Sequence, residues 1–259
     1  MSTILFREIV FGPVHSRRLG VSLGVNLLPD DGKVCSFDCI YCECGYNADK
    51  QGKNGLPTRE AVYNALDDKL KLMVEKGEKP DVITFAGNGE PTLHPQFEEI
   101  IEDTINLRNR YFPEAKVSVL SNACHIGKES VFRALNRVDN NILKLDSVFL
   151  DTIKLINEPN QPKFSVDKLV DNLKRFNGNL IIQTLFLCGE HKGKRIDNTT
   201  DKEVDAWLET VKLINPKQVM IYSIDRETPE KNLVKLSKEE LEKIALKIRQ
   251  AGLNVSVSA

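Results

Sequence analysis

Short apolar runs alternate along this chain with stretches whose apolar residues recur every three or four positions, a pattern that constrains the fold more than any other feature. The runs Val21–Leu28, Asp81–Ala86, Lys116–Ser121, Asn141–Asp146, Leu180–Leu187 and Gln218–Ile224 read as buried strands, each ending in polar or glycine residues. Between them lie helical spacings, such as Val62, Leu66, Leu70 and Met73 after the candidate N-cap Thr58. The last helix opens at Ser237-Lys-Glu-Glu240, a capping-box pattern, and closes near Gly252. Six strand-then-helix units without a Gly-x-Gly-x-x-Gly turn predict an α/β fold. In it a parallel sheet with outer helices curls into a partial (β/α)6 barrel. The 259 residues are long enough for one large domain: 1–20 as an N-terminal cap or hairpin, 21–259 as the barrel, with Asn254–Ser258 as an added edge strand.

That topology locates the chemistry, because barrels of this kind collect their sites at the C-terminal ends of the strands. A cysteine-rich loop follows the first strand, Gly87-Asn88-Gly89-Glu90 the second and Ser121-Asn122-Ala-Cys124 the third. Lys144 and Asp146 fall in the fourth, two apart and so on one face, and Gln183 through Cys188 in the fifth. A formal net charge of −1 supplies no global electrostatic case for nucleic acid. Local basic groups remain as candidate phosphate contacts: Arg7, His15, Arg17 and Arg18, then His191, Lys192, Lys194 and Arg195. No stretch approaches membrane-spanning length, and Met1–Arg7 lacks a basic segment followed by a long apolar core, so the expectation is a cytoplasmic protein with reduced cysteines.

The loop reads Cys35-Ser-Phe-Asp-Cys39-Ile-Tyr-Cys42. Iron–sulfur cubanes usually take four cysteines, so three in eight residues can hold three irons and leave the fourth open to a small-molecule ligand. A structural zinc site would want two separated pairs, and Cys42-Glu-Cys44 is too tight to supply the second. Cys44, Cys124 and Cys188 have three readings: independent structural cysteines, auxiliary-cluster ligands, or a thiol hydrogen-atom donor.

The triplet with Tyr41 before its last cysteine, joined to Thr84-Phe-Ala-Gly-Asn-Gly-Glu-Pro91 after the second strand, resembles the signature of the radical S-adenosylmethionine (SAM) superfamily. Further segments, Val14–Pro29, Leu143-Lys-Leu-Asp146, Ile182–Phe186 and Ile221–Pro229, resemble the group related to the tRNA wyosine-base synthases. The archaeal wyosine synthases carry additional upstream cysteines for a second cluster, and this chain has none before Cys35.

The resemblance implies a [4Fe–4S] cluster on Cys35, Cys39 and Cys42, with SAM on the open iron, cleaved to a 5′-deoxyadenosyl radical that takes hydrogen from substrate. It implies that Tyr41 offers backbone and apolar contact to adenine and that Gly87, Asn88, Gly89 and Glu90 meet the methionine amine. Glycine there would remove the side chain that blocks the ligand's approach. Ser121 and Asn122 are candidates for ribose or carboxylate contacts, Gln183 for a further cofactor contact, and Lys144, Asp146 and Cys188 for the catalytic positions. An interior ion pair is the competing reading of Lys144 and Asp146. The implied partners are an external low-potential electron donor and a small-molecule or RNA-base substrate. The alternative is an activating enzyme that places a glycyl radical on a partner protein.

Overall fold

The computed structural model describes residues 4–16, 19–49 and 51–258, so Arg17 and Arg18 of the first basic cluster lie outside the described residues. Its contacts group into two compact units, one of Leu5–Cys35 with Asn47–Asn141, the other of Met1–Ile4, Ser36–Tyr46 and Ile142–Ala259.

The first unit opens with an antiparallel hairpin of β1 (Val10–Ser16) and β2 (Gly20–Val25), with a register irregularity between Phe11 and Val14. The Phe11 ring lies over Gly24, where a Cβ would sit 2.1 Å from its Cζ, and stacks on Phe6 at 3.9 Å between ring centroids. Helix α1 (Arg59–Glu75) is capped by Thr58, whose side chain accepts from the Ala61 N–H, and buries Val62, Leu66, Leu70 and Met73 as its spacing predicts. It leads to β3 (Val82–Phe85), parallel to β2 and buried along its whole length. Helix α2 (Phe97–Tyr111) then returns the chain to β4 (Lys116–Ser121), parallel to β3 and followed by α3 (Glu129–Arg137). Near-continuous apolar strands are what a parallel sheet covered by helices requires.

Strand β5 (Asn140–Lys144) enters the second unit at Ile142, and its Ile142–Lys144 part runs parallel to a strand of the segment expected at 180–187. The fourth strand ends at Lys144, so Asp146 stands just past it rather than within it. Helices α4 (Leu150–Ile156) and α5 (Val166–Lys174) follow, the first unforeseen because it is only seven residues long. The expected fifth strand is in fact two, β6 (Ile181–Leu185) and β7 (Leu187–His191), which lie in different sheets. Asn198 makes the corner: its amide donates to the carbonyls of Leu185 and Asp146 at 2.8 and 2.9 Å and its oxygen accepts from the Leu187 N–H at 2.8 Å. Strand β8 (Lys194–Asp197) pairs antiparallel with β7.

After α6 (Asp201–Ile214), strand β9 (Gln218–Tyr222) pairs parallel with β6. Strand β10 (Leu233–Lys235) joins the other edge of β7, completing a three-stranded antiparallel sheet absent from the sequence expectation. Helix α7 (Lys238–Gln250) carries both hydrogen bonds of the Ser237/Glu240 capping box, and β11 (Val255–Ser258) adds to β9 as the expected edge strand. Among the described residues no helix is long and apolar enough to cross a membrane.

Candidate functional site

The cysteine loop is pinned by backbone just before Cys35 and again on either side of Cys39. In the first unit Val34 donates to the Asn88 carbonyl at 2.9 Å and accepts from the Glu90 N–H at 3.2 Å. The same geometry explains Gly89. At φ +139° a Cβ there would lie 1.8 Å from the Val34 carbonyl oxygen, so the glycine makes room for the chain leading into Cys35. A Cβ on Gly87 would likewise meet the Asn26 amide oxygen at 2.4 Å. Asn88 is fully buried, its amide donating to the carbonyls of Phe6 and Pro29 and its oxygen accepting from the Phe6 N–H, all at 2.8 Å.

Glu90 is buried with its carboxylate crowded by donors. One oxygen accepts from the Thr92 N–H and hydroxyl and from Ser121 Oγ at 2.8 Å, and the other accepts from the Asn122 N–H at 2.7 Å. Burial nevertheless raises its pKa above the ordinary carboxylate value, these hydrogen bonds acting against the shift. The carboxylate therefore fixes the strand end that carries Ser121 and Asn122. Asn122 in turn aims Nδ2 at Cys35 Sγ, 3.6 Å away, while its Oδ1 accepts from the Cys124 N–H. Asn47 holds the Cys35 backbone by accepting from its N–H at 3.1 Å and donating to its carbonyl at 3.3 Å.

In the second unit the loop is braced by the end of α4: Asp38 donates to the Asn157 carbonyl at 2.9 Å and Ile40 to that of Ile156 at 3.0 Å. Cys39 is buried, and Asn157 Nδ2 lies 3.4 Å from its sulfur. Burial pushes the Cys39 thiol pKa up, while the Lys144 charge and the Asn157 amide pull the other way.

Lys144 and Asp146 form the interior ion pair of the competing reading, Nζ to Oδ2 at 3.5 Å, with the two side chains 14% and 0% exposed. Tyr41 completes it: its phenol donates to Asp146 and accepts from Lys144 at 2.6 Å, and the ammonium also sits 4.9 Å from the ring centroid. Asn157 donates to the same Asp146 oxygen at 2.7 Å, and the Leu185 N–H reaches the other at 2.9 Å. Burial opposes the Lys144 charge, but Asp146 and other surrounding negative groups outweigh it and hold the ammonium pKa above its usual value. Burial, reinforced by Asp146, keeps the Tyr41 phenol neutral well past its ordinary range. Asn157, which sequence reasoning missed, is the hub of this network. Only its asparagine identity hinted at it, and helix C-termini carry many asparagines for backbone reasons alone.

Of the other expected residues, Gln183 stays beside Lys144 and Cys188 falls elsewhere. Gln183 lies in β6 beside Lys144 in register, its buried Nε2 without a hydrogen-bond partner. Cys188 sits in β7 opposite Asp197 and Val234, in the antiparallel sheet and not in that of Lys144; burial raises its thiol pKa. His94 is occupied structurally, with Nε2 2.8 Å from the Pro57 carbonyl and Nδ1 accepting from the Gln96 N–H. Burial lowers the His125 pKa, with Lys128 adding to the shift. Within the basic hairpin, His191 bridges Glu230 at 2.6 Å and Glu158 at 2.8 Å, Lys192 pairs with Glu158, and Arg195 pairs with Asp197 at 3.1 Å.

Among the described residues no three His, Cys, Asp or Glu side chains converge on one ion. A cubane instead spreads its thiolates over separate irons. Reduced cysteines in one short loop, two with an amide N–H turned to the sulfur, are a donor set suited to such a cluster.

Residues 31–199 match the family described as the Radical SAM superfamily, and this chain belongs to it. Membership brings with it S-adenosylmethionine and an iron–sulfur cluster. A protein named GTPase Obg from Brachyspira hyodysenteriae is 32% identical over 96% of this chain, which spans only 34% of that protein's length. A UPF0026 protein from Helicobacter pylori is 32% identical over 92% of this chain and 73% of its own length. Among solved structures, TYW1 with a lysine–pyruvate adduct bound superposes with a TM-score of 0.61 at 17% identity, covering 88% of this chain and 73% of that one. Likeness at that identity shows the fold, the partial barrel expected from the strand-and-helix pattern.

Proposed function

We propose that this chain is a radical SAM enzyme whose Cys35, Cys39 and Cys42 hold a [4Fe–4S] cluster and whose substrate is a small molecule. When bound and reduced by an external donor, the cluster supplies the electron that cleaves SAM to methionine and a 5′-deoxyadenosyl radical. The carrying observation is the thiol loop itself, clamped by backbone at Val34, Asp38 and Ile40, with amide donors at two of its sulfurs. Within each unit this bracing fixes the cysteine it touches, Cys35 in the first and Cys39 in the second.

The chain's own residues bind, orient and keep out water. Glu90 fixes the strand end bearing Ser121 and Asn122, which leaves the backbone around Asn88–Glu90 as the surface offered to the methionine amine. Tyr41, Lys144 and Asp146 form a dry polar block beside Cys39, so Tyr41 meets SAM through backbone and ring, its phenol being engaged by Asp146 and Lys144. Gln183, with an unmatched buried amide, is the remaining cofactor-contact candidate. A small molecule is favoured over an RNA base because Lys192 and Arg195 already pair with carboxylates of the same unit, leaving less free charge for phosphates. Anaerobic reconstitution tests the proposal: the chain should form 5′-deoxyadenosine from SAM and dithionite, and alanine at Cys35, Cys39 or Cys42 should abolish it. Product analysis against a metabolite extract and an RNA pool then separates the two substrate classes, while a glycyl-radical EPR signal on a partner protein would favour the activating alternative.

A further inference from the structure

Two buried carboxylates in this protein each hold an asparagine, and each asparagine turns an amide N–H toward a cysteine sulfur. In the first unit Glu90 Oε2 accepts from the Asn122 backbone N–H at 2.7 Å, and Asn122 Nδ2 lies 3.6 Å from Cys35 Sγ. In the second unit Asp146 Oδ2 accepts from Asn157 Nδ2 at 2.7 Å, and the same nitrogen lies 3.4 Å from Cys39 Sγ. Glu90, Asn122, Asp146 and Asn157 are all buried, so neither amide trades its sulfur freely for water.

The proton count narrows the second case. An amide nitrogen carries two hydrogens, and Asn157 Nδ2 has three acceptors within reach: Asp146 at 2.7 Å, Tyr41 Oη at 3.3 Å and Cys39 Sγ at 3.4 Å. The short bond to Asp146 takes one hydrogen. The phenol already accepts from Lys144 at 2.6 Å, so the second hydrogen has its better acceptor in the sulfur, and more so once that sulfur is a metal-bound thiolate. Asn122 is oriented from its other amide atom, Oδ1, which accepts from the Cys124 N–H at 3.0 Å.

Resting on the cluster assignment proposed above, we infer that Asn122 and Asn157 are positioning residues that raise the cluster's reduction potential by donating N–H···S hydrogen bonds to Cys35 and Cys39, with Glu90 and Asp146 holding the donors in place. The physical reason is direct. Reduction adds negative charge that the thiolate sulfurs share, and a donor aimed at a sulfur stabilises the reduced state more than the oxidised one. A low-potential cluster that must accept an electron from an external donor gains from that shift.

The test is an EPR-monitored redox titration of the anaerobically reconstituted chain beside Asn122→Leu and Asn157→Leu, with iron counted in each. The expected result is full iron content and a midpoint more negative than wild type in both variants. Loss of an exchangeable-proton hyperfine coupling at the reduced cluster should accompany it. Wild-type midpoints in both loaded variants would overturn the inference, and so would folded variants that fail to load, because they would assign these amides to assembly and not to tuning. Where a leucine variant does not fold, serine at the same position, too short to reach the sulfur, replaces it under the same criteria. A wild-type chain with no cubane signal would instead remove the cluster assignment itself, an outcome the titration distinguishes at its first step.

Discussion

Asp146 accepts hydrogen bonds from Tyr41, Lys144, Asn157 and the Leu185 backbone, and its side chain has no solvent exposure. Removing it strands a nearly buried ammonium, and breaking a buried pair from one side typically costs about 3–5 kcal/mol. Asp146→Ala should therefore lower the urea-unfolding free energy of the apo chain by about that amount; a loss under about 1 kcal/mol would mean the pair is not held as described. Gly89→Val tests a different residue-scale claim. With a Cβ 1.8 Å from the Val34 carbonyl, the branched side chain must displace the backbone entering Cys35. Iron loading should fall together with SAM affinity; a fully loaded variant that had lost only SAM binding would restore the ligand-approach reading of this glycine.

At the scale of elements, stability rests on helix caps and on one corner. Ser237 and Glu240 satisfy each other's backbone donors at the start of α7, and a cap of this kind is worth about 1 kcal/mol, the loss expected for Ser237→Ala in a urea titration. Asn198 matters more, because its amide serves the backbone of Leu185, Leu187 and Asp146 where the chain leaves one sheet for another. Asn198→Leu leaves those buried groups without their partner, at about 1–3 kcal/mol for each left unsatisfied. Faster hydrogen exchange at the Leu187 amide would locate the damage at the corner, and an unchanged rate there would refute its role.

For the whole molecule, the spare thiols and the acid response are the accessible observables. Cys188 lies in the antiparallel sheet, and among the described residues it forms no three-ligand group with Cys44 and Cys124. The chain with Cys44, Cys124 and Cys188 all replaced by Ala should retain about four irons, and a native count near eight would establish an auxiliary cubane. The acid response follows from Glu158 and Glu230. Burial raises the Glu158 pKa, but hydrogen bonds from Lys192 and His191 outweigh it, and the His191 hydrogen bond leads in lowering Glu230, so both carboxyls lie below their ordinary value. Their stabilisation is complete above the ordinary carboxylate range and is lost as pH falls through the depressed folded values. The melting temperature should drop on acidification, and His191→Phe should lower it near neutrality and flatten that drop; an unchanged acid limb would dissociate His191 from it.

The strand-and-helix rhythm, the capped starts of α1 and α7 and the β11 edge strand were legible in the chain because each depends on residues near one another in sequence. The cysteine triplet was equally local, and with Gly-Asn-Gly-Glu it sufficed to place the chain in its superfamily. Tertiary structure alone split the 180–187 run into β6 and β7, since the cause is Asn198, eleven or more residues away. It also gave Gly89 a neighbour from the Val34 backbone and made Asn157 the hub between Asp146 and Cys39, residues 11 and 118 positions distant. Periodicity reports which face a residue presents, but not which distant atom will meet it there, and the hydrogen bonds that tie the thiol loop to Asn88, Asn122 and Asn157 are meetings of that second kind.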